Sequence, residues 1–135
     1  MKLIPFLSFP GTTREALAFY ATALGGTIVS QSTYGETPMC DQTPADTHHW
    51  IAHAQLEAGG AILMAADCPP QQAGEGGTTV NIDVETIEEA ERIFAALSEG
   101  ADVRMPMAET FWAHRWGFLV DRYGKPWMVN CVKPH

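Results

Sequence analysis

Apolar residues recur along this chain with two different periods, and the same order of periods occurs twice. Helical spacing of apolar positions predicts helices over residues 13–24 and 87–98. Short runs that are apolar, or that alternate between apolar and polar residues, predict strands. These strands cover residues 2–9, 27–34, 50–57 and 61–66 in the first half, and 78–84, 101–105, 116–120 and 126–132 in the second. The predicted fold class is therefore α+β, with two tandem β-α-β-β-β modules.

The repeat is also visible in individual residues. Thr12-Thr13-Arg14-Glu15-Ala16 returns seventy-four positions later as Thr86-Ile87-Glu88-Glu89-Ala90. Thr12 and Thr86 each stand three residues before a glutamate, which predicts a capping box at both helix starts. Gly26 and Gly100 predict the helix ends. We expect a single domain, 1–135, in which module 1 (1–67) and module 2 (78–135) are joined by the loop 68–77.

A glycine pair fixes the predicted register of the first hairpin. With Gly59-Gly60 as a two-residue turn, Gln55 pairs with Met64, and strand alternation places His53 on the same face as both. Ala54 then points towards the helix. In the internal repeat, Met128 is the counterpart of Met64. The repeat therefore predicts that Gly117, Leu119, Met128 and Asn130 share the equivalent face of module 2. A register error of one residue would invert such a face.

Composition and charge exclude several classes of function. The hydrophobic fraction is 46% and the net charge is −8, with a pI near 4.9. Such a chain repels phosphate backbones and anionic lipids, so we expect no nucleic-acid partner and no membrane. The start of the chain lacks the features of a signal peptide. Cys40, Cys68 and Cys131 are odd in number and widely spaced, which favours reduced thiols in a cytoplasmic protein.

Specific stretches of the sequence resemble a known family. Glu109-Thr110-Phe111-Trp112 and Gly124-Lys125-Pro126-Trp127-Met128-Val129-Asn130 resemble the PhnB-like branch of the vicinal oxygen chelate superfamily, as do residues 5–9, 51–54 and 63–67. That superfamily includes glyoxalase I, bleomycin-resistance proteins and extradiol dioxygenases, and members of the branch also carry a 3-demethylubiquinone methyltransferase label. The resemblance implies the glyoxalase/bleomycin-resistance/dioxygenase fold, a ligand cavity and a homodimer. We find no glycine-rich unit for S-adenosylmethionine that would support the methyltransferase label.

The resemblance also implies where a metal would bind. Metal-dependent members of the superfamily use four positions that align here with Pro5, Met64, Thr79 and Met128. None of these offers a carboxylate or an imidazole, so we predict no metal and no cofactor. Among the histidines, His49 and His53 would lie ~13 Å apart on a strand at ~3.3 Å per residue, too far to share one zinc ion. A non-standard site using His53, Asp67 or Glu109 stays open.

Several residues are candidates for contact with a ligand. His53 and Glu109 are candidate general bases; the structural alternatives are a hydrogen-bonded histidine and a glutamate that braces a loop. The aromatic residues near Glu109 could stack on a planar ligand, although such clusters more often fill a curved sheet. The predicted ligand-binding set is His53, Gln55, Met64, Asp67, Glu109, Phe111, Trp112, His114, Leu119 and Met128.

Three functional hypotheses follow. The first is a PhnB-like vicinal oxygen chelate protein that binds a small molecule in a cavity formed by curved sheets, without the usual divalent metal, its reaction unknown. The second is a binder that sequesters a compound, as bleomycin-resistance proteins do, and an acidic chain would favour cationic ligands. The third is a metal-assisted lyase or dioxygenase with displaced ligands. Turnover separates the first two hypotheses, and metal content separates the third.

Overall fold

A computed structural model describes residues 2–38, 44–69 and 78–133. The chain divides into two compact units, residues 1–75 and 76–135. Cys40 and most of the predicted junction loop (70–77) lie outside the described residues. Each unit contains a strand, a helix and three further strands, so the predicted α+β fold with two β-α-β-β-β modules is confirmed.

The first unit is a four-stranded mixed sheet with one helix. Its sheet order is β1-β4-β3-β2, with β1 parallel to β4 and the other neighbours antiparallel. The helix packs on β3 and β4, and Leu17, Tyr20, Leu56 and Leu63 are among the residues buried there. The elements are β1 (Phe6–Phe9), α1 (Thr13–Leu24), β2 (Thr27–Thr33), β3 (Ile51–Ala58) and β4 (Ala61–Asp67).

The second unit repeats this topology. Its sheet order is β5-β8-β7-β6, with β5 parallel to β8. Strand β6 contains Pro106, which is tolerated because β6 is an edge strand. Strands β6 and β7 are longer than predicted, so their connection shortens to residues 109–112. The elements are β5 (Val80–Asp83), α2 (Ile87–Leu97), β6 (Asp102–Ala108), β7 (Ala113–Val120) and β8 (Pro126–Val132).

The two helices start in different ways. At Thr86 the N-cap half of the predicted capping box is confirmed, because the Thr86 hydroxyl accepts the Glu89 N–H at 3.1 Å. The capping box predicted at Thr12 is wrong: the Thr12 side chain makes no capping hydrogen bond. The Thr13 N–H is instead bound by the carboxylate of Asp67, at the end of β4, at 2.9 Å. A cap supplied from so far along the chain leaves no local sequence signal.

The first hairpin has the predicted register and the second does not. Gln55 pairs with Met64 and Ala58 with Ala61 around Gly59-Gly60. In the second hairpin Val120 pairs with Pro126, so five residues connect the strands. Phe118 therefore pairs with Met128 and Leu119 with Trp127. The predicted face for Gly117 and Leu119 is wrong, and Leu119 is fully buried on the side that α2 covers.

Asp121 explains the longer connection. Its Oδ1 accepts the backbone N–H groups of Tyr123 at 2.8 Å and Lys125 at 2.9 Å. Its Oδ2 accepts the indole N–H of Trp127 at 2.8 Å. One buried carboxylate thus organises the turn and anchors the first large side chain of β8. Within the described parts of the chain, no helix is long and apolar enough to cross a membrane.

Candidate functional site

Each sheet has one side covered by its own helix and one side that this helix does not cover. We call these uncovered sides the first open face (sheet β1-β4-β3-β2) and the second open face (sheet β5-β8-β7-β6). Pairing registers and strand alternation assign the residues, because directly paired residues point to the same side. The first open face carries Phe6, Ser8, His53, Gln55 and Met64. The second carries Asn81, Trp116, Phe118, Met128 and Asn130.

His53 and Gln55 are polar groups on a half-buried surface. The face predicted for His53, Gln55 and Met64 is the one observed. The His53 ring lies 6.1 Å from the ring of Phe6, at an interplanar angle of 49°. Within the described residues, neither the His53 imidazole nor the Gln55 amide makes a hydrogen bond to the protein. Half-buried polar groups without internal partners are available to a bound molecule.

Asp67 was predicted to contact a ligand, and its carboxylate has structural partners. Its exposed fraction is 2%. One carboxylate oxygen accepts the Thr13 N–H at 2.9 Å and the other accepts the Ile51 N–H at 2.8 Å. Its backbone carbonyl accepts the Tyr34 hydroxyl at 2.8 Å. Burial is the main cause that raises the pKa of the Tyr34 hydroxyl, and the nearby Cys68 and Asp67 raise this pKa further. Asp67 thus joins the start of α1 to the start of β3.

A chain of side-chain hydrogen bonds runs to the second open face. The indole N–H of Trp112 donates to Oδ1 of Asn130 at 3.3 Å. Nδ2 of Asn130 in turn donates to Oδ1 of Asn81. Asn130 is 6% exposed, whereas Asn81 is exposed. We call this chain of three side chains the Trp112–Asn130–Asn81 relay.

The segment before β7 is an exposed aromatic corner. Phe111 is 90% exposed and Trp112 is 40% exposed. The ring of Trp112 meets the rings of Phe111 and Trp116 edge-on, at centroid distances of 4.8 and 5.8 Å. His114 lies at an irregularity in the pairing of β7 with β8, a feature that is frequent beside functional sites.

Glu109 stands at the start of this segment and is ion-paired. Its carboxylate lies 3.0 Å from the ammonium of Lys133. The hydrogen bond from Lys133 and the charge of Lys133 lower the pKa of Glu109, and His114 and Arg115 act in the same direction. A carboxylate with a lowered pKa is a weaker base at neutral pH. Glu109 thus matches the structural alternative, a glutamate that braces a loop.

Comparison with known proteins identifies the family. The sequence model described as 3-demethylubiquinone-9 3-methyltransferase matches residues 1–130. The chain belongs to this PhnB-like family. Protein YjdN of Escherichia coli K12 is 35% identical over 98% of this chain and 97% of its own length.

Solved structures agree with this assignment. Protein PA1353 of Pseudomonas aeruginosa superposes with a TM-score of 0.87, at 40% identity over 99% of both chains. A putative 3-demethylubiquinone-9 3-methyltransferase, PhnB protein, of Bacillus cereus gives 0.78 at 26% identity, over 96% of this chain and 98% of that one. A glyoxylase/bleomycin resistance protein/dioxygenase domain from Frankia sp. EAN1pec, at 11% identity over 98% of both chains, has a TM-score of 0.70, which shows the shared fold alone.

The positions expected to hold a metal, and the residues beside them, offer few suitable donor groups in this PhnB-like chain. Pro5 and Thr79 lie one residue before β1 and β5, and the Pro5 carbonyl accepts the Met64 N–H at 3.0 Å. On the parallel neighbouring strands β1 and β5, the residues paired with Met64 and Met128 are Phe6 and Asn81. A phenyl ring, two thioethers and one neutral amide do not fit a divalent cation that prefers carboxylate or imidazole ligands. Among the described residues, no group of three or more His, Cys, Asp or Glu side chains could hold a metal ion.

The sequence-based site list omitted Asn81, Phe118 and Phe6. Asn81 was missed because the residue considered on the first strand of module 2 was Thr79, from the family resemblance, whereas the parallel pairing places Asn81 beside Met128. Phe118 was missed because the register of the second hairpin was one residue off. The alternation Val80-Asn81-Ile82-Asp83, with polar residues on one side only, was the signal that could have identified Asn81.

Proposed function

We propose that this PhnB-like protein binds a small organic molecule on the open faces of its sheets and does so without a divalent metal. The observation that carries the proposal is the composition of these faces. Each combines apolar side chains (Phe6 and Met64, or Phe118 and Met128) with a few polar groups, which is the usual composition of a ligand site. Methionine adapts its shape to irregular ligands.

The first open face supplies the strongest single support. His53 and Gln55 are half-buried and, within the described residues, unsatisfied by the protein. An imidazole can donate and accept at once, and a primary amide can do the same. Two such groups beside Phe6 and Met64 can orient a ligand that has both an apolar body and polar substituents. The His53 imidazole is also suited to general base catalysis.

The assembly and location of the protein are part of the proposal. The family resemblance favours a homodimer, and the odd number and wide spacing of the cysteines favour a cytoplasmic protein. A small-molecule ligand is the other partner that we propose. We assign no reaction to this site.

The first experiment is to find the ligand. Native mass spectrometry of the purified protein should detect a bound organic compound, and isothermal titration with that compound should give a stoichiometric complex. His53→Ala should weaken this binding at least about tenfold, while the free energy of unfolding stays within about 1 kcal/mol of the wild-type value because no core packing is removed.

Glu15→Ala is the control. Glu15 is exposed on α1, on the side of the sheet away from the first open face, so its removal should leave ligand binding unchanged and change the free energy of unfolding by less than about 1 kcal/mol. The proposal fails if His53→Ala unfolds the protein at much lower denaturant concentration while ligand affinity is unchanged. That result would make His53 a structural residue. Steady turnover of the bound compound would favour an enzyme, and binding without turnover would favour a sequestering protein.

A further inference from the structure

We infer that the Trp112–Asn130–Asn81 relay gives the second open face a fixed hydrogen-bonding polarity: Asn81 presents amide N–H donors to a neutral carbonyl oxygen of the ligand. The inference rests on the proposed function, since it names the chemical class of molecule that this face accepts. That class is a planar apolar compound with a carbonyl group.

The polarity follows from the first member of the relay. An indole N–H can donate a hydrogen bond and cannot accept one. The group of Asn130 that faces Trp112 must therefore be its carbonyl oxygen, as observed at 3.3 Å. This orientation directs the Asn130 amide nitrogen towards Asn81, so the Asn81 carbonyl is used as an acceptor. The remaining polar group of Asn81 is its NH₂, a donor.

The residues around Asn81 define the rest of the ligand. Asn81 pairs with Met128 and Met128 with Phe118, so apolar groups lie beside the amide on the same face. An aromatic or otherwise planar apolar body packs well on a thioether and a phenyl ring.

Charge decides between a neutral and an anionic acceptor. Asp83 lies two residues after Asn81 on the same side of β5 and is exposed. Its carboxylate repels a carboxylate or phosphonate at this position, and the net charge of −8 acts in the same direction. A ketone, amide or quinone oxygen suits the Asn81 donor without this repulsion.

Two probes of nearly the same shape test the inference. Acetophenone carries the carbonyl, and α-methylstyrene replaces the oxygen with a methylene group. Titrations followed by NMR, in the same small fraction of organic cosolvent, report the side-chain NH₂ of Asn81 and the methyl group of Met128. We expect acetophenone to shift both signals and to bind about fivefold more tightly, the worth of one net hydrogen bond. α-Methylstyrene should shift the Met128 methyl alone, and benzoate should bind more weakly than acetophenone.

Two variants separate the relay from simple packing. Asn81→Asp leaves an oxygen for the Asn130 amide and turns the ligand-facing group into an acceptor, so the preference for acetophenone should disappear while α-methylstyrene binding changes by less than about twofold. Trp112→Phe keeps an aromatic ring and removes the donor that orients Asn130. It should reduce the preference in the same way, and thermal unfolding should show that both variants are folded. Gln31→Glu also replaces an amide with a carboxylate, at an exposed position of β2. This control variant should retain the preference for acetophenone.

The outcomes are distinct for the two proposals. If both probes shift the Met128 methyl with equal affinity, the second open face binds ligands and the inference about the carbonyl is overturned. If the preference for acetophenone survives in both Asn81→Asp and Trp112→Phe, the relay is not the source of that preference, and the inference is overturned. If neither probe perturbs this face, the inference fails together with the proposed use of the second open face.

Discussion

A single buried carboxylate, Asp67, joins three elements of the first unit. Its two oxygens accept backbone N–H groups at the first residue of α1 and the first residue of β3. Both N–H groups would otherwise be unpaired donors at element starts, where no regular hydrogen bond is available. A negative charge at the N-terminus of α1 is also stabilised by the helix dipole. We therefore interpret Asp67 as a structural residue.

Removal of this carboxylate should be costly. Asp67→Ala leaves two buried N–H groups without acceptors, so the free energy of unfolding should fall by about 3–5 kcal/mol. Asp67→Asn keeps one acceptor oxygen and should lose less, about 1–3 kcal/mol. Urea denaturation measures both values. Asp83→Ala, which removes an exposed carboxylate, is the control and should change stability by less than about 0.5 kcal/mol. A stable Asp67→Ala variant with impaired ligand binding would instead make Asp67 a site residue.

Glu109 gives a second test at the residue scale. Because Lys133 lowers the pKa of Glu109, Lys133→Ala should raise that pKa towards its ordinary value, as measured by carboxyl-carbon NMR titration. Arg115→Ala should raise it less, since Arg115 is a smaller contributor. A carboxyl group whose pKa is lowered by folding stabilises the folded state above its unfolded pKa, and this contribution is lost as pH falls through the folded pKa. An unchanged titration in Lys133→Ala would exclude the ion pair in solution.

At the scale of helices and strands, the sequence predicted the type of each element better than it predicted how the strands pair. Helix α1 coincides with the predicted bounds, and α2 ends one residue early, because strong helical periodicity and terminal glycines are local signals. The second hairpin was misassigned because the repeat implied a two-residue turn, and the side chain of Asp121 stabilises a longer one. Leu119 was placed on the wrong face as a result. A register error of one residue turns every side chain of a strand to the opposite face, whereas an error of one residue barely changes a helix boundary.

Two adjacent glycines at the end of α1 should respond differently to substitution. Gly25 has φ of 68° and no atom within 4 Å of an added Cβ, so Gly25→Ala should cost about 1 kcal/mol from left-handed backbone strain. A Cβ on Gly26 would lie 2.7 Å from the carbonyl oxygen of Glu57 and 2.9 Å from Cβ of Ala58. Since these atoms belong to β3 and cannot move aside freely, Gly26→Ala should cost more, about 2–3 kcal/mol. Chemical denaturation of the two variants decides the order, and a larger loss in Gly25→Ala would contradict the close contact of α1's end with β3.

At the scale of the whole molecule, the family and the fold were predictable and the site only partly so. The faces of His53, Gln55, Met64 and Met128 followed from a turn and an internal repeat. The local alternation along β5 places Asn81 on the polar side of that strand, but its position beside Met128 required the parallel pairing of β5 with β8, which joins residues far apart in sequence. Proposals about ligand contact by Phe111, Trp112 and His114 stay predictions, and the structure adds that the first two are exposed.

The metal content of the whole protein is the test that separates this chain from metal-dependent relatives. The open-face pairs Phe6–Met64 and Asn81–Met128 supply no carboxylate or imidazole. We therefore expect elemental analysis of purified protein to find well below one zinc, nickel, iron or manganese ion per chain. The exposed His49 and its neighbour His48 could retain adventitious metal. A His48→Ala/His49→Ala double variant controls for this, because metal held there disappears in it. About one ion per chain that persists in the double variant, and whose removal by a chelator lowers stability, would overturn the prediction, since a true site contributes its binding energy to folding.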